Sequence, residues 1–309
     1  MSAHEYLSAV ATILCIMALA ALLETAAPLF AARGVAAGRR RANLAMTAQT
    51  LVFNFFLTSG AALAALVLPL ASPGLMARAA MPAAAQFVVG ILILDFAFGY
   101  VAHRVLHASP TLWRFHRVHH SDPFVDVTTT YRNHPVEHIW RYFCILVPTW
   151  ALGVPASAVV LYRLLSSING VLEHANVSVG PALDGAVSRV WVTPNMHKVH
   201  HSRTVAETNS NYGNLLSLYD HVLGTFTPTD RALTVAYGLD DVDLGAAQSF
   251  VGMNTMPWRS RNAQLSEAPA EPGANSQRRD FTPAAARSRA GRRPVRQTCP
   301  PSASAGSGW

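Results

Sequence analysis

The sequence is short of charge: only 13% of its 309 residues are Asp, Glu, Lys or Arg, against roughly 25% in soluble domains. With 51% hydrophobic residues, that scarcity excludes an ordinary water-soluble globule and leads to the expectation of a membrane protein. Lysine is almost missing, Lys198 standing alone beside 23 Arg. The net charge of +7 is local, because residues 252–309 carry nine Arg and three acids while the rest is close to neutral. A basic tail on a neutral apolar body is no footprint for DNA or RNA, so no nucleic-acid partner is expected. The three cysteines, Cys15, Cys144 and Cys299, are far apart, which excludes a disulfide framework and a cysteine-built zinc or iron–sulfur site. A glycine-rich dinucleotide loop and a nucleophile elbow are also lacking.

Long apolar runs are present. Residues 6–30, 47–71 and 81–101 can each cross a hydrocarbon core of ~30 Å at ~1.5 Å per residue and are read as transmembrane helices. The first run is too long for a signal-peptide core and has no Lys or Arg before it, so no cleavage is expected. A fourth run, 139–168, holds Pro148, Gly153 and Pro155 at its middle. It is read as a helical hairpin turning at 152–155, with arms of about 15 residues that reach part-way or tilt. Such a hairpin returns the chain to the side it left. Arg33, Arg39, Arg40 and Arg41 between the first two runs outnumber the single Arg78 of the next loop. That bias sets the first loop in the cytoplasm, the N-terminus outside, and everything from His103 onward on the cytoplasmic face. The expected organisation is all-α: N-terminal transmembrane helices over 1–80, a histidine-rich catalytic domain over 81–250, and a disordered basic tail over 251–309.

Histidine is the residue in excess, with twelve of thirteen falling between His103 and His221. They form His103-Arg-Val-Leu-His107, His116-Arg-Val-His119-His120 and His197-Lys-Val-His200-His201, with His174 isolated between the last two. Spacings of three and four place side chains on one helix face, so each cluster is expected to present its imidazoles in one direction. Imidazole is the commonest metal ligand and suits iron, zinc and copper. Eight clustered imidazoles exceed the three or four ligands of one zinc site, so two metals are expected, with no carboxylate inside any cluster. His4, His138 and His221 are read as structural or solvated. His134-Pro-Val-Glu137-His138 formally matches the HxxEH motif of a zinc-dependent hydrolase. Pro135, however, holds His134 out of helical backbone, as a cap. A histidine-rich metal-binding membrane protein is the other alternative.

The order HxxxH, HxxHH, hairpin, single His, HxxHH resembles the fatty acid hydroxylase and sterol desaturase superfamily, integral membrane di-metal oxygenases, over about 95–227. Asp95, Trp113, Arg132-Asn-His134-Pro135, Asn211-Tyr-Gly-Asn and Tyr219-Asp220-His221 look like that family too. The resemblance implies His103, His107, His116, His119, His120, His174, His197, His200 and His201 as metal ligands. His134 stays outside that set. The resemblance further implies two Fe ions, for which Zn can substitute in a purified form, and O2 as co-substrate. The activity implied is hydroxylation or desaturation of a lipid such as a sterol or fatty acyl chain. Electrons would come from a separate ferredoxin-, cytochrome- or flavin-type donor. Asp95, eight residues before His103 in an apolar run, is expected to support the metal site, to pair with an Arg such as Arg104, or to cap a backbone end.

Overall fold

The computed structural model describes residues 3–31, 37–71, 74–259 and 295–296. These are mostly helical, joined by turns and loops, with one two-residue parallel strand pair, Phe30–Ala31 against Val295–Arg296. Three helices are long and apolar enough to cross a membrane: α1 (Ala3–Ala26), α2 (Ala37–Ala71) and α3 (Ala83–Ala108). Leu19, Leu22, Phe56 and Leu63 on their outer faces are more than half exposed, which in a polytopic protein is the surface that meets lipid.

α2 begins earlier than the hydropathy suggested, so Arg39, Arg40 and Arg41 are helical rather than in a loop. Arg39 is fully buried and pairs with Asp122, at 3.2 Å, and with Asp126. This triad ties the start of α2 to the chain just after the second histidine cluster, so the two lie on the same side. Within α3 the turns over Asp95–Val101 widen to a π-helix, a local rewinding often found at functional sites. It ends just before His103.

α4 (Pro110–His120) starts with Pro110 in its first turn and with Ser109 accepting from the Leu112 N–H at 3.4 Å. The hairpin is present as α5 (Pro135–Leu152) and α6 (Ala156–His174). Gly153 makes its turn with φ +76°, a value that disfavours any side chain. Its arms, at 18 and 19 residues, are longer than expected because α5 runs through Pro148 without breaking. Leu94, Phe98, Ile145, Val159, Tyr162 and Leu215 form the core between α3, α5 and α6. A second cluster, Ile13, Met17, Tyr131 and Val171, seats α1 on the inner end of α6.

The third histidine cluster lies on α7 (Pro194–His200), capped by Thr193, whose hydroxyl accepts from the Met196 N–H at 3.2 Å. The tail boundary needs correcting. Residues through Arg259 form α8 (Phe250–Arg259), with Met253 and Met256 buried against Ala42, Met46 and Val118. Two methionines three residues apart put one face of this short helix on α2 and α4, where Asn254 also pairs with Gln49 and Arg114 Nε donates to Pro257 O at 2.9 Å. Apart from residues 295–296, the remainder of the expected tail lies outside the described residues.

Candidate metal centre

All nine imidazoles named as ligand candidates come together, buried, in two groups. His103, His107, His116, His120 and His200 form one, and His119, His174, His197 and His201 form the other. Within each group one ring nitrogen per residue lies within 4.8 Å of all the others. The expectation that each cluster points one way is overturned for the two HxxHH motifs. His116 and His120 enter the first group while His119 crosses to the second, and His197 and His201 enter the second while His200 crosses to the first. Helical geometry explains the split. At about 100° per residue, the i+4 residue lies ~40° to one side of residue i and the i+3 residue ~60° to the other. Each HxxHH turn therefore straddles both groups.

Hydrogen bonds to the far ring nitrogens establish that these groups fit metal ions. His103 Nδ1 donates to Tyr212 O at 2.9 Å, His116 Nδ1 to Glu137 Oε2 at 3.0 Å and His200 Nδ1 to Ser210 O at 2.7 Å. Each acceptor lacks a proton, so each ring carries its hydrogen on Nδ1 and leaves Nε2 as a bare lone pair. Yet His103 Nε2 and His116 Nε2 face each other at 3.1 Å, and the buried His200 Nε2 has no partner. In the second group His174 Nδ1 donates to Gly170 O at 2.7 Å, and three other Nε2 atoms stand 3.0–3.2 Å from its own Nε2. Lone pairs crowded this closely repel one another unless a cation lies between them. Burial pushes His174 and His200 down to about 3, so both rings are neutral at neutral pH, as a metal requires.

Carboxylates surround the groups without entering them. Glu137 is fully buried, takes the His116 N–H on one oxygen, and takes Arg141 Nε on the other at 2.8 Å. Burial alone would raise its carboxyl, but the His116 ring and the Arg141 guanidinium hold it far below the usual carboxylate range. The sequence reading considered Glu137 only within the HxxEH motif. The available signal was its i,i+4 spacing to Arg141 at the start of an apolar arm. Glu173 lies 3.9 Å from both His174 Nδ1 and His197 Nε2, too far for a hydrogen bond, and burial pushes its carboxyl well up. The single lysine, Lys198, is buried and donates to the carbonyls of His174 and Ala175 at 3.3 and 2.5 Å, pinning the end of α6.

His134 caps α5 by accepting from the Val136 N–H at 3.2 Å, while His138 meets Thr50 Oγ1 at 3.1 Å. The HxxEH histidines thus have separate partners and share no site. Exposed His4 and His221, which bonds Ser188 O at 3.0 Å, also stand apart. Asp95 touches no imidazole and not Arg104. Its carboxylate accepts from the Leu215 and Leu216 N–H groups at 3.2 and 3.1 Å. It therefore anchors the 210–216 loop, whose Ser210 and Tyr212 carbonyls orient His200 and His103. Gly99 permits the approach, since a Cβ there would lie 2.9 Å from Asp95 Oδ1 and 3.0 Å from Asn214 Cβ. Asp95→Asn is expected to loosen this loop and lower metal loading by about 10-fold, the mild end of losses one contact removed from a metal. Elemental analysis of the purified variant checks it, and unchanged loading would reduce Asp95 to a fold role.

A cavity of about 90 Å³ borders both groups, with His103, His119, His174, His197, Glu137 and Glu173 in its wall. Asn54, Tyr131, Arg163 and Ser167 line it and also line an adjoining groove of about 740 Å³ between α1, α2 and α6. Val10, Ile13, Leu51, Leu66 and Leu164 give that groove an apolar wall.

Residues 87–225 match the family model described as fatty acid hydroxylase, a span that contains all nine imidazoles. Among curated proteins, the ornithine lipid hydroxylase OlsE of Rhizobium tropici is 31% identical over 192 residues, covering 62% of this chain and 56% of that protein. Alkylglycerol monooxygenase of Caenorhabditis elegans is 28% identical over 149 residues, covering 47% of this chain and 28% of its own length. The human alkylglycerol monooxygenase is 28% identical over 148 residues, with 47% and 31% covered. The chain thus spans about half of the first relative and under a third of the other two. No solved structure matches it.

Proposed function

We infer that this chain, whose residues 87–225 match the fatty acid hydroxylase family model, is a member of the fatty acid hydroxylase and sterol desaturase superfamily and a membrane-bound non-haem di-iron oxygenase that hydroxylates a lipid. The observation that carries this reading is the pair of imidazole groups beside a small chamber that adjoins an apolar groove. The relatives' names, a lipid hydroxylase and monooxygenases, favour oxygen insertion over desaturation. The five imidazoles of one group exceed a tetrahedral zinc site, which supports iron, a metal that imidazole suits.

The nine imidazoles would hold the two irons, and when bound these supply O2 activation and abstraction of hydrogen from an unactivated C–H bond. The protein's own work is positional. Glu137, Gly170, Ser210 and Tyr212 fix four of the rings through their Nδ1 hydrogens, so each Nε2 is aimed before any metal arrives. The narrow chamber limits water, and the groove receives the apolar chain. Electrons come from a separate ferredoxin-, cytochrome- or flavin-type donor. The reading is tested with iron-loaded protein, a chemical reductant and isotopically heavy O2, followed by mass spectrometry of added lipids. Gain of one labelled oxygen atom is expected. Loss of two hydrogens would make it a desaturase, and no change in any lipid would overturn the proposal.

We further place the metal centre on the cytoplasmic face. The support is the arginine-rich stretch between the first two apolar runs, whose Arg39, at the start of α2, pairs with Asp122 beside the second histidine cluster. A reporter fused before α1 should then read as external, and a cytoplasmic signal there would reverse the orientation.

A further inference from the structure

Arg163 lies on α6 where the metal chamber meets the apolar groove, and it lines both. Its Nη2 donates to Asn54 Oδ1 at 3.3 Å, and its guanidinium stands 4.5 Å above the Phe98 ring. Among the described residues no carboxylate lies within 4.0 Å of it. The other cation in the chamber wall, Arg141, is neutralised by Glu137 at 2.8 Å. Glu173, in the same wall, bonds Asn169 instead. Tyr6, Tyr131 and one carboxylate, Glu5, line the groove with Arg163, and His138 and Arg141 line the chamber. A guanidinium always carries its charge, and a cation held in an apolar arm without a counter-charge is costly unless an anion arrives to share it. Its remaining donors form the planar fork that suits a carboxylate or a phosphate.

Building on the lipid-oxygenase reading, we propose that Arg163 is the receptor for an anionic head group, a carboxylate or a phosphate, of the lipid that enters this groove. The apolar chain lies along Val10, Leu51, Leu66 and Leu164, and the anion stops at Arg163, at the threshold of the chamber. Asn54 steadies the guanidinium from the α2 side. Arg163 is thus a specificity residue for lipids with charged heads over neutral ones. It orients the substrate without contacting either imidazole group.

The test uses the full chain, iron-loaded and in a non-ionic detergent, with three lipids of one acyl length: an N-acyl amino acid, a lysophosphatidic acid and a monoacylglycerol. Binding is read by native mass spectrometry and turnover on the same samples. At least one anionic lipid should bind about 10- to 100-fold more tightly than the neutral one, as expected for a charge-assisted contact. The tighter of the two identifies carboxylate or phosphate. Arg163→Gln should remove the preference while leaving monoacylglycerol binding and iron content unchanged, and Arg163→Lys should keep part of it. Equal affinity for all three lipids in the unaltered protein, or a preference that survives Arg163→Gln, overturns the proposal. If the glutamine variant does not fold, the three-lipid comparison in the unaltered protein still decides. Selective binding with no oxygen inserted would overturn the oxygenase reading and leave the head-group assignment standing. Oxygen inserted into the neutral lipid without selective binding would do the reverse.

Discussion

His174→Ala is expected to empty the four-histidine group, leave the five-histidine group loaded, and abolish turnover. His174 is the only ligand candidate outside the three clusters, and its Nε2 lies 3.0–3.2 Å from those of His119, His197 and His201. Removing it leaves three imidazoles around a buried space and takes the ring hydrogen bond from the Gly170 carbonyl. Losses of contacts outside a metal's own ligands cost about 10- to 100-fold in affinity, so loss of a ligand should exceed about 100-fold. The first group contains none of these four residues and should hold its ion. The measurement is metal per chain by elemental analysis, with His221→Ala as a control at a ring that bonds Ser188 O away from both groups. A variant retaining the unaltered protein's metal content and rate would remove His174 from the centre. One losing both metals would show that the two groups fill only together.

The existence of this centre was legible in the sequence because it depends on local spacing. An HxxxH and two HxxHH motifs on helices can be recognised without tertiary information, and Gly153 and Pro155 marked the turn that brings the clusters together. The division into groups was not read, although the same helical arithmetic contains it, since i+3 and i+4 were treated as one face rather than as two faces ~100° apart. Contacts distant in sequence were harder to see. Asp95 reaches the backbone of Leu215 and Leu216, 120 residues on, by hydrogen bonds to N–H groups that every residue but proline possesses. Arg39 looked like a loop charge because its partners, Asp122 and Asp126, follow the second cluster by only a few residues but lie more than 80 residues from Arg39. Arg163 had no visible signal at all, because what distinguishes it is a cavity.

Glu137→Ala is expected to damage stability and metal binding together, through two separable contacts. Without the carboxylate, Arg141 keeps its charge with only the Phe98 carbonyl, at 3.2 Å, as a remaining acceptor. Breaking a buried ion pair by removing one partner costs about 3–5 kcal/mol, and the lower end applies because Arg141 retains 14% side-chain exposure. His116 meanwhile loses the acceptor that holds its hydrogen on Nδ1, and metal affinity should fall about 10- to 100-fold. The pH dependence has a definite sign. The folded carboxyl is held below its ordinary value, so its stabilisation is full above an unfolded pKa of about 4.3, declines progressively below that, and is gone once pH falls through the lower folded value. Moderate acid should therefore spare the unaltered protein's Glu137–Arg141 pair. Adding Arg141→Leu to Glu137→Leu separates the two roles: an apolar pair removes the stranded charge and should recover thermal stability, but it cannot accept the His116 N–H. Metal loading should stay low in the double variant while its melting temperature returns. Recovery of both would make Glu137 a partner of Arg141 alone, and recovery of neither would mean that His116 orientation and the packing of α5 cannot be separated.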